Sequence, residues 1–305
     1  MTLNKNAGRG GLIMVTLRLG SGDDLPFLID TGAARTLLDK SFQPKLGNRL
    51  GTAGMSHFGD NYKSGIYAAP AIYLGGVPLM TDSNILTYDF KSQLKSRAGK
   101  QIRGILGMDC LKHYCIQLDF EAGKMRFLDP DHLDIKNLGK AFPITISTPG
   151  NRPFIYHVGL TSGSSTNCLI DTGCNYDGRV EKGALHGEAK GWVHLPECAW
   201  DGADYTNLTV QIGKHANMIG LRFLARHLVT LNFPKRTMYL KQTSVGPQAA
   251  VRVHPYAKIG ENLVARVRAV QCFQFRPFLR LSLADETEHG FWENRPLALE
   301  IAGIH

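Results

Sequence analysis

The amino-acid sequence predicts a mainly β protein with short helices, built as two pseudo-twofold-related lobes within one chain. The phrase Leu-Ile-Asp-Thr-Gly occurs twice, at residues 28–32 and 169–173. Downstream, residues 107–127 match residues 220–240 without a gap. Each matched segment ends in two alternating apolar runs separated by a turn, which is typical of a β-hairpin. These observations indicate an internal duplication.

The predicted elements follow the same order in both halves. Each half has an apolar strand running into Asp-Thr-Gly, a variable middle, an apolar-apolar-Gly segment, a short helix and a closing hairpin. The predicted elements are strands at 12–19 and 25–29, short helices at 108–114 and 221–227, and hairpins at 116–128 and 229–240.

The two halves differ in length. Asp30 and Gly107 are 77 positions apart, whereas Asp171 and Gly220 are 49 apart, so the first half carries 28 additional residues. The sequence therefore divides into three predicted parts. They are a first lobe at 8–130, a second lobe at 140–243 and a tail at 244–305 that matches neither lobe.

Part of the additional length is a glycine-punctuated segment at residues 51–65. A long hairpin of this kind suits a mobile cover over a cleft, and an ordinary surface loop fits equally well. If it is a cover, His57, Phe58 and Tyr62 are candidate substrate contacts.

The residues around the first Asp-Thr-Gly carry a specific resemblance. Residues 28–38 (LIDTGAARTLL), followed by residues 105–109 (ILGMD), resemble the aspartic proteases, and most closely the retropepsin-like lobe of many bacterial proteins. The tandem arrangement is similar to the bilobal pepsin plan. The resemblance implies two aspartic-protease-like β-barrel lobes and an aspartic endopeptidase activity.

Residue by residue, the resemblance also implies a site. Asp30 and Asp171 would be the catalytic pair, and Gly107 and Gly220 would lie in the strands that cross the two loops. The residues expected to support the loops are Thr31, Gly32, Thr172 and Gly173. The threonines would exchange hydrogen bonds beneath the aspartates, and the glycines would let the backbone approach the carboxylates and donate to them.

The second half departs from the family pattern at two positions. Cys174 stands where Ala33 does, a nearly isosteric change. By residue count, Asp177 stands where Thr36 does. An inward-pointing Asp177 would place a third carboxylate near the pair, so we expect a surface turn there.

Two adjacent aspartates suit peptide hydrolysis without a covalent intermediate. Two carboxylates a few ångströms apart hold a single proton between them, because both cannot ionise cheaply. The ionised member can then take a proton from water while the protonated member donates to the carbonyl. This chemistry needs a peptide or protein substrate but no cofactor and no metal. With both aspartates in one chain, we expect a monomer.

Two other functions fit parts of the sequence. A binding or scaffold module could keep the fold without catalysis. An actin-like sugar kinase or ATPase also uses Asp-x-Gly turns after strands, but it needs further glycine and threonine positions and a more helical chain.

Composition narrows the class of protein further. The chain has 305 residues, 43% of them hydrophobic, and a net charge of +9. No apolar run is long enough to span a membrane, and no signal peptide is visible, so we expect a soluble protein and assign it no compartment. The one basic cluster lacks interleaved aromatic residues, so no nucleic-acid partner is expected. That cluster consists of Lys91, Lys95, Arg97, Lys100 and Arg103.

The remaining features are less specific. The six scattered cysteines are expected to be reduced thiols. His113 and His227 occupy nearly matching places and are expected at the lobe surface or as helix caps. The tail could form an extra strand pair, a partner-binding segment or a poorly ordered extension.

Overall fold

A computed structural model describes residues 1–57, 60–90, 102–156, 167–181, 191–213 and 217–248; for residues 56, 57 and 60–62 it describes the backbone only. The described chain is mainly β and its helices are all six residues or shorter, which confirms the predicted class. The helices are 3-10 turns at Lys40–Lys45 and Ile135–Asn137 and two α-helical turns, α1 (Met108–Leu111) and α2 (Leu221–Leu224). None of these helices is long and apolar enough to cross a membrane.

Among the described residues, eleven strands lie in the first half and ten in the second. The first eleven are β1 (Met14–Leu19), β2 (Asp24–Ile29), β3 (Leu37–Asp39), β4 (Gly51–His57), β5 (Asp60–Ala68), β6 (Ile72–Leu74), β7 (Val77–Pro78), β8 (Asn84–Tyr88), β9 (Gly104–Leu106), β10 (Cys115–Asp119) and β11 (Lys124–Leu128). The others are β12 (Lys140–Pro143), β13 (Thr145–Ile146), β14 (Pro153–Ile155), β15 (Cys168–Asp171), β16 (Gly178–Glu181), β17 (Gly191–Trp200), β18 (Ala203–Gly213), β19 (Asn217–Gly220), β20 (His227–Asn232) and β21 (Thr237–Gln242). The predicted closing hairpins are therefore present as β10–β11 and β20–β21.

The described strands form three sheets. The first-half sheet has the order β4-β5-β8-β3-β9-β2-β1-β6-β7, and the second-half sheet has the order β13-β14-β15-β19-β16-β18-β17. Within these sheets the described strands leave two separate edges and no sheet closes on itself. The β-barrel form implied by the resemblance is therefore wrong for the described strands, because the outermost strands are not hydrogen-bonded to each other.

Strand pairing around the two Asp-Thr-Gly loops is the same. In the first half β2 runs parallel to β9, while β3 runs antiparallel to β9 and parallel to β8. In the second half β15 runs parallel to β19, while β16 runs antiparallel to β19 and parallel to β18. The first half additionally contains β4 and the β6–β7 hairpin, which take up part of its extra length.

The third sheet joins the two halves, with the order β11-β10-β20-β21-β12. At its centre Gln117 lies opposite Thr230, and Gln117 Nε2 donates a hydrogen bond to Thr230 Oγ1 at 3.1 Å. These residues are repeat equivalents, separated by 113 positions like Gly107 and Gly220. The pairing of β10 with β20 is therefore symmetric about this residue pair.

Strand alternation decides which way the aspartates point. Ile29 and Ile170, which immediately precede them, are buried in the main hydrophobic core. Successive residues of a strand face opposite sides, so the aspartates share the other side of their sheets with Leu28 and Leu169. We call this side of each sheet the aspartate face.

Candidate active site

The two Asp-Thr-Gly loops are joined by four hydrogen bonds between their threonines and the opposite strand. Thr31 Oγ1 donates to the carbonyl oxygen of Ile170 at 2.6 Å, and Thr172 Oγ1 donates to that of Ile29 at 2.9 Å. Each hydroxyl also accepts from the backbone N–H of the other threonine at 3.0 Å. Both threonines are buried, so this exchange, which the resemblance implies, fixes one loop against the other.

The joined loops bring Asp30 and Asp171 together. Their half-buried carboxyl groups are in hydrogen-bonding contact with each other. A Cβ atom on Gly32 would lie 2.6 Å from the carboxyl carbon of Asp171, and one on Gly173 would lie 2.5 Å from that of Asp30. No side chain fits there, so each loop needs glycine for the opposite carboxyl group to approach.

The carboxyl groups of the two aspartates accept different numbers of backbone hydrogen bonds. Asp30 Oδ1 accepts from the N–H groups of Gly32 at 2.8 Å and Ala33 at 3.1 Å. Among the described backbone groups, Asp171 Oδ1 accepts only from Gly173 N–H, at 2.8 Å. The N–H groups of Ala33 and Cys174 each also donate to the main-chain oxygen of their aspartate at 3.3 Å, but only that of Ala33 reaches the carboxyl group as well. Donors to a carboxylate stabilise its ionised form, so this asymmetry favours ionised Asp30 and protonated Asp171.

The pKa shifts agree with that assignment. Burial is the main cause that raises the pKa of both aspartates. The N–H donors of Gly32 and Ala33 oppose the rise of the Asp30 pKa. For Asp171, the negative charge of Asp30 adds to burial and raises the pKa further. The pair therefore favours a state that holds one proton, and Asp171 is its preferred site.

The segments that cross the loops also match. Met108 N–H donates to the Ala33 carbonyl at 2.8 Å, and Leu221 N–H donates to the Cys174 carbonyl at 2.7 Å. Gly107, at the start of α1, is so close to the first loop that a Cβ would lie 2.5 Å from a backbone carbon of Arg35. Each crossing segment therefore supports its loop through a backbone hydrogen bond.

The structure corrects the expectation for Asp177. Its side chain is fully buried rather than part of a surface turn. Its carboxylate accepts from Arg222 at 2.7 Å, Arg226 at 2.9 Å and the N–H of Thr209 at 2.7 Å. Two arginines from the α2 region supply the compensating charge that a buried carboxylate requires.

The first half also has a buried acid that binds its loop, but this acid lies in α1 instead of in the loop. Thr36 donates through N–H and Oγ1 to Asp109 at 2.8 and 2.6 Å. Asp109 matches Arg222 by repeat position. The acid is thus at the α1 position in one half and in the loop in the other. Sequence reasoning missed this exchange, because Asp177 and its arginine partners are more than 40 positions apart.

Strand register also corrects the alignment by count. Leu37 lies opposite Ile105, and Arg179 lies opposite Met218, the repeat equivalent of Ile105. The second loop is therefore one residue longer, and Arg179 rather than Gly178 corresponds to Leu37. This places Arg179 on the aspartate face, a residue that sequence reasoning did not single out.

Cys174 is accommodated as expected for a near-isosteric change. It is buried, and its Sγ lies 3.8 Å from the carbonyl oxygen of Tyr176. Burial raises the pKa of the thiol well above its usual range, so the sulfur stays protonated and is no nucleophile.

Several other sequence-based candidates have mixed outcomes. The segment predicted as a long hairpin is the β4–β5 hairpin, with His57 opposite Asp60 and Tyr62 opposite Met55. Phe58 and the side chains of His57 and Tyr62 lie outside the described residues, so their contact with substrate stays a prediction. Of the basic cluster only Arg103 is described, and it pairs with Asp39 at 3.4 Å.

The two histidines take up the two places expected for them, one at the surface and one at the end of a helix. His113 is exposed, as predicted. His227 is buried, and its ring caps the end of α2 as expected, with Nδ1 3.2 Å from the carbonyl oxygen of Phe223 and Nε2 2.8 Å from the hydroxyl group of Tyr205. Burial lowers the pKa of His227 to about 4, so the ring is neutral at physiological pH.

Comparison with known proteins does not assign the chain to a family. No protein-family model matches the chain, and no curated protein matches it. Within the described residues, no cluster of three or more His, Cys, Asp or Glu side chains could hold a metal ion. The functional argument therefore depends on the geometry of the aspartate pair.

Proposed function

We propose that the chain is an aspartic endopeptidase that hydrolyses peptide bonds with a water molecule held between Asp30 and Asp171. The observation that carries this proposal is the contact of the two carboxyl groups on loops tied by the Thr31–Thr172 exchange. In this proposal the two halves are pseudo-twofold-related, aspartic-protease-like lobes. One chain supplies both aspartates, so a monomer suffices.

The proposed reaction uses the proton distribution of the pair. Ionised Asp30 takes a proton from water as the water oxygen bonds to the carbonyl carbon, and Asp171 gives its proton to the carbonyl oxygen. In the second step Asp30 gives its proton to the nitrogen, Asp171 takes a proton from one hydroxyl group of the diol, and the C–N bond breaks to leave an amine and a carboxylic acid. The pair ends with one proton, as it began.

A pair of charge-neutral substitutions tests the proposal. Asp30→Asn and Asp171→Asn should each abolish cleavage of a denatured protein substrate between about pH 4 and 7, because neither variant has a shared proton. Asp24→Asn is the matched control, since Asp24 is an exposed partner of Arg18. Cleavage that survives both active-site substitutions would refute the proposal.

The alternative of a catalytically inactive binding module predicts a different pattern. The wild-type protein would then cleave no substrate, and it would not bind a peptide mimic with a hydroxyl group at the scissile position. Isothermal titration with such a mimic separates the two functions, because the proposed pair should bind the hydroxyl through both carboxyl groups.

A further inference from the structure

The aspartate face of the second-half sheet carries one continuous row of cross-strand neighbours. Register connects each member to the next, from β14 through β15, β19, β16 and β18 to β17. The row consists of Phe154, Leu169, Met218, Arg179, Gln211 and Trp192. Because Leu169 lies two residues before Asp171 on β15, this row lies beside the proposed cleavage site.

The corresponding row of the first half is apolar. Leu37 holds the register position of Arg179, and Leu86, opposite Leu37 on β8, holds that of Gln211. Both leucines are buried in a hydrophobic cluster with Leu28. The fold therefore accepts aliphatic side chains at these positions, and the Arg–Gln pair of the second half is not needed to form the sheet.

The Arg–Gln pair presents hydrogen-bond donors. Arg179 Nε lies 3.4 Å from Gln211 Oε1, which also accepts from the hydroxyl group of Tyr176 at 3.0 Å. Gln211 Oε1 is thus used internally, and Arg179 also forms a hydrogen bond with the side chain of Tyr176. The positive charge of Arg179 acts on the nearby Asp171 and opposes the rise of the Asp171 pKa.

Two aromatic side chains, Tyr176 and Trp192, lie beside the Arg179–Gln211 pair. The rings of Tyr176 and Trp192 meet edge to face with centroids 4.6 Å apart. Trp192 is 39% exposed although it is large and apolar. A half-buried arginine beside an exposed aromatic wall is suited to a flexible chain that carries a carboxylate, because the donors match both oxygens of the acid.

We propose that Arg179, with Gln211 and Trp192 beside it, forms a subsite that binds an acidic side chain of the peptide substrate. This inference rests on the proposed endopeptidase function and names its substrate class. Arg179 lies two strands across and two residues along from Asp171, about 12 Å between Cα atoms from standard sheet spacings. An extended peptide covers that separation in about three residues.

Matched peptides test the subsite. A peptide series carries Glu, Gln or Lys at each position within three residues of the cleaved bond, and kcat/KM is measured for every member. At one position the wild-type protein should prefer Glu over Gln, and Arg179→Leu, which installs the first-half residue, should reduce that ratio about tenfold. Arg179→Glu should reverse the preference towards Lys. An unchanged Glu/Gln ratio in both variants would overturn the subsite.

Arg18→Gln is the control, because it also removes one positive charge. Arg18 forms an exposed ion pair with Asp24, which lies opposite it on β2. Asp24 is six residues before Asp30, so this ion pair lies at the other end of β2 from the aspartate pair. The Glu/Gln ratio of Arg18→Gln should equal that of the wild-type protein. A ratio that falls as much as in Arg179→Leu would mean that net charge, and not the subsite, sets the preference.

Binding to the Asp30→Asn variant separates this inference from the proposed function. Fluorescence anisotropy with a labelled Glu peptide and its Gln analogue needs no turnover. Arg179-dependent binding of the Glu peptide without wild-type cleavage would leave the subsite standing and refute the endopeptidase. Cleavage without any acidic preference would refute the subsite and leave the endopeptidase standing. A protein that neither binds the Glu peptide nor cleaves a substrate would refute both proposals.

Discussion

Replacing Asp177 with asparagine should destabilise the protein strongly while keeping the shape of the side chain. The substitution removes the charge that compensates Arg222 and Arg226. Arg226 is fully buried, and the side chain of Arg222 is 9% exposed. Removing one partner of a buried ion pair typically costs about 3–5 kcal/mol, because the other charge is left uncompensated.

The local contacts place the expected cost near the lower end of that range. Arg226 also donates to the carbonyl oxygens of Thr206 and Val245 at 2.7 and 2.9 Å, and these contacts remain in the variant. We therefore expect a loss of about 3 kcal/mol in the free energy of unfolding. For a unit of this size the melting temperature should fall by about 6–12 °C.

Urea denaturation at pH 7 measures the loss, with Asp24→Asn as an exposed control expected to cost less than about 1 kcal/mol. The double variant Asp177→Leu with Arg226→Met tests the physical reason, because it removes both buried charges. It should be more stable than Asp177→Asn. A loss below about 1 kcal/mol in Asp177→Asn, or a double variant at least as unstable, would refute the reasoning.

Three further outcomes follow from the aspartate loops. Thr31→Val should lose about 2–4 kcal/mol of unfolding free energy in urea titrations, because two buried hydrogen bonds are removed, whereas Thr16→Val on the exposed side of β1 should cost little. Gly173→Ala should abolish peptide cleavage in a kinetic assay, because the new Cβ would displace the Asp30 carboxyl group. The urea midpoint should fall as pH rises from about 4 through the raised pKa of Asp171, because the folded state holds a proton that the unfolded state releases, and Asp171→Asn should flatten this slope.

Each of these three has an outcome that contradicts it. An unchanged midpoint in Thr31→Val would mean that the exchange does not hold the loops together. Full activity in Gly173→Ala would show that the carboxyl groups need no close approach. A pH slope that persists in Asp171→Asn would assign it to other groups.

The sequence predicted the aspartate loops well because the repeated phrase determines strand parity. Leu28 and Ile29 must face opposite sides of β2, so the direction of the following aspartate is fixed. The matched segments downstream likewise predicted the hairpins β10–β11 and β20–β21. Local periodicity and repeat position were sufficient for these features.

Two features required the three-dimensional structure. Counting residues from Asp171 aligns Arg179 with Leu38, which is buried in the main core, whereas strand register aligns it with Leu37. A one-residue shift moves a side chain to the other face of a sheet, so the count gave the wrong side. The buried Asp177 was also missed, because its arginine partners are more than 40 positions away.

The sheet that joins the two halves has a consequence for synthesis on the ribosome. Strand β10 is complete by residue 119, but its partner β20 begins at residue 227. For more than 100 residues of translation one edge of the apolar β10 has no native strand to pair with, and such edges promote aggregation. Pairing across so long a separation also folds slowly. A nascent chain stalled between the two strands should therefore bind chaperones more than one released after residue 242.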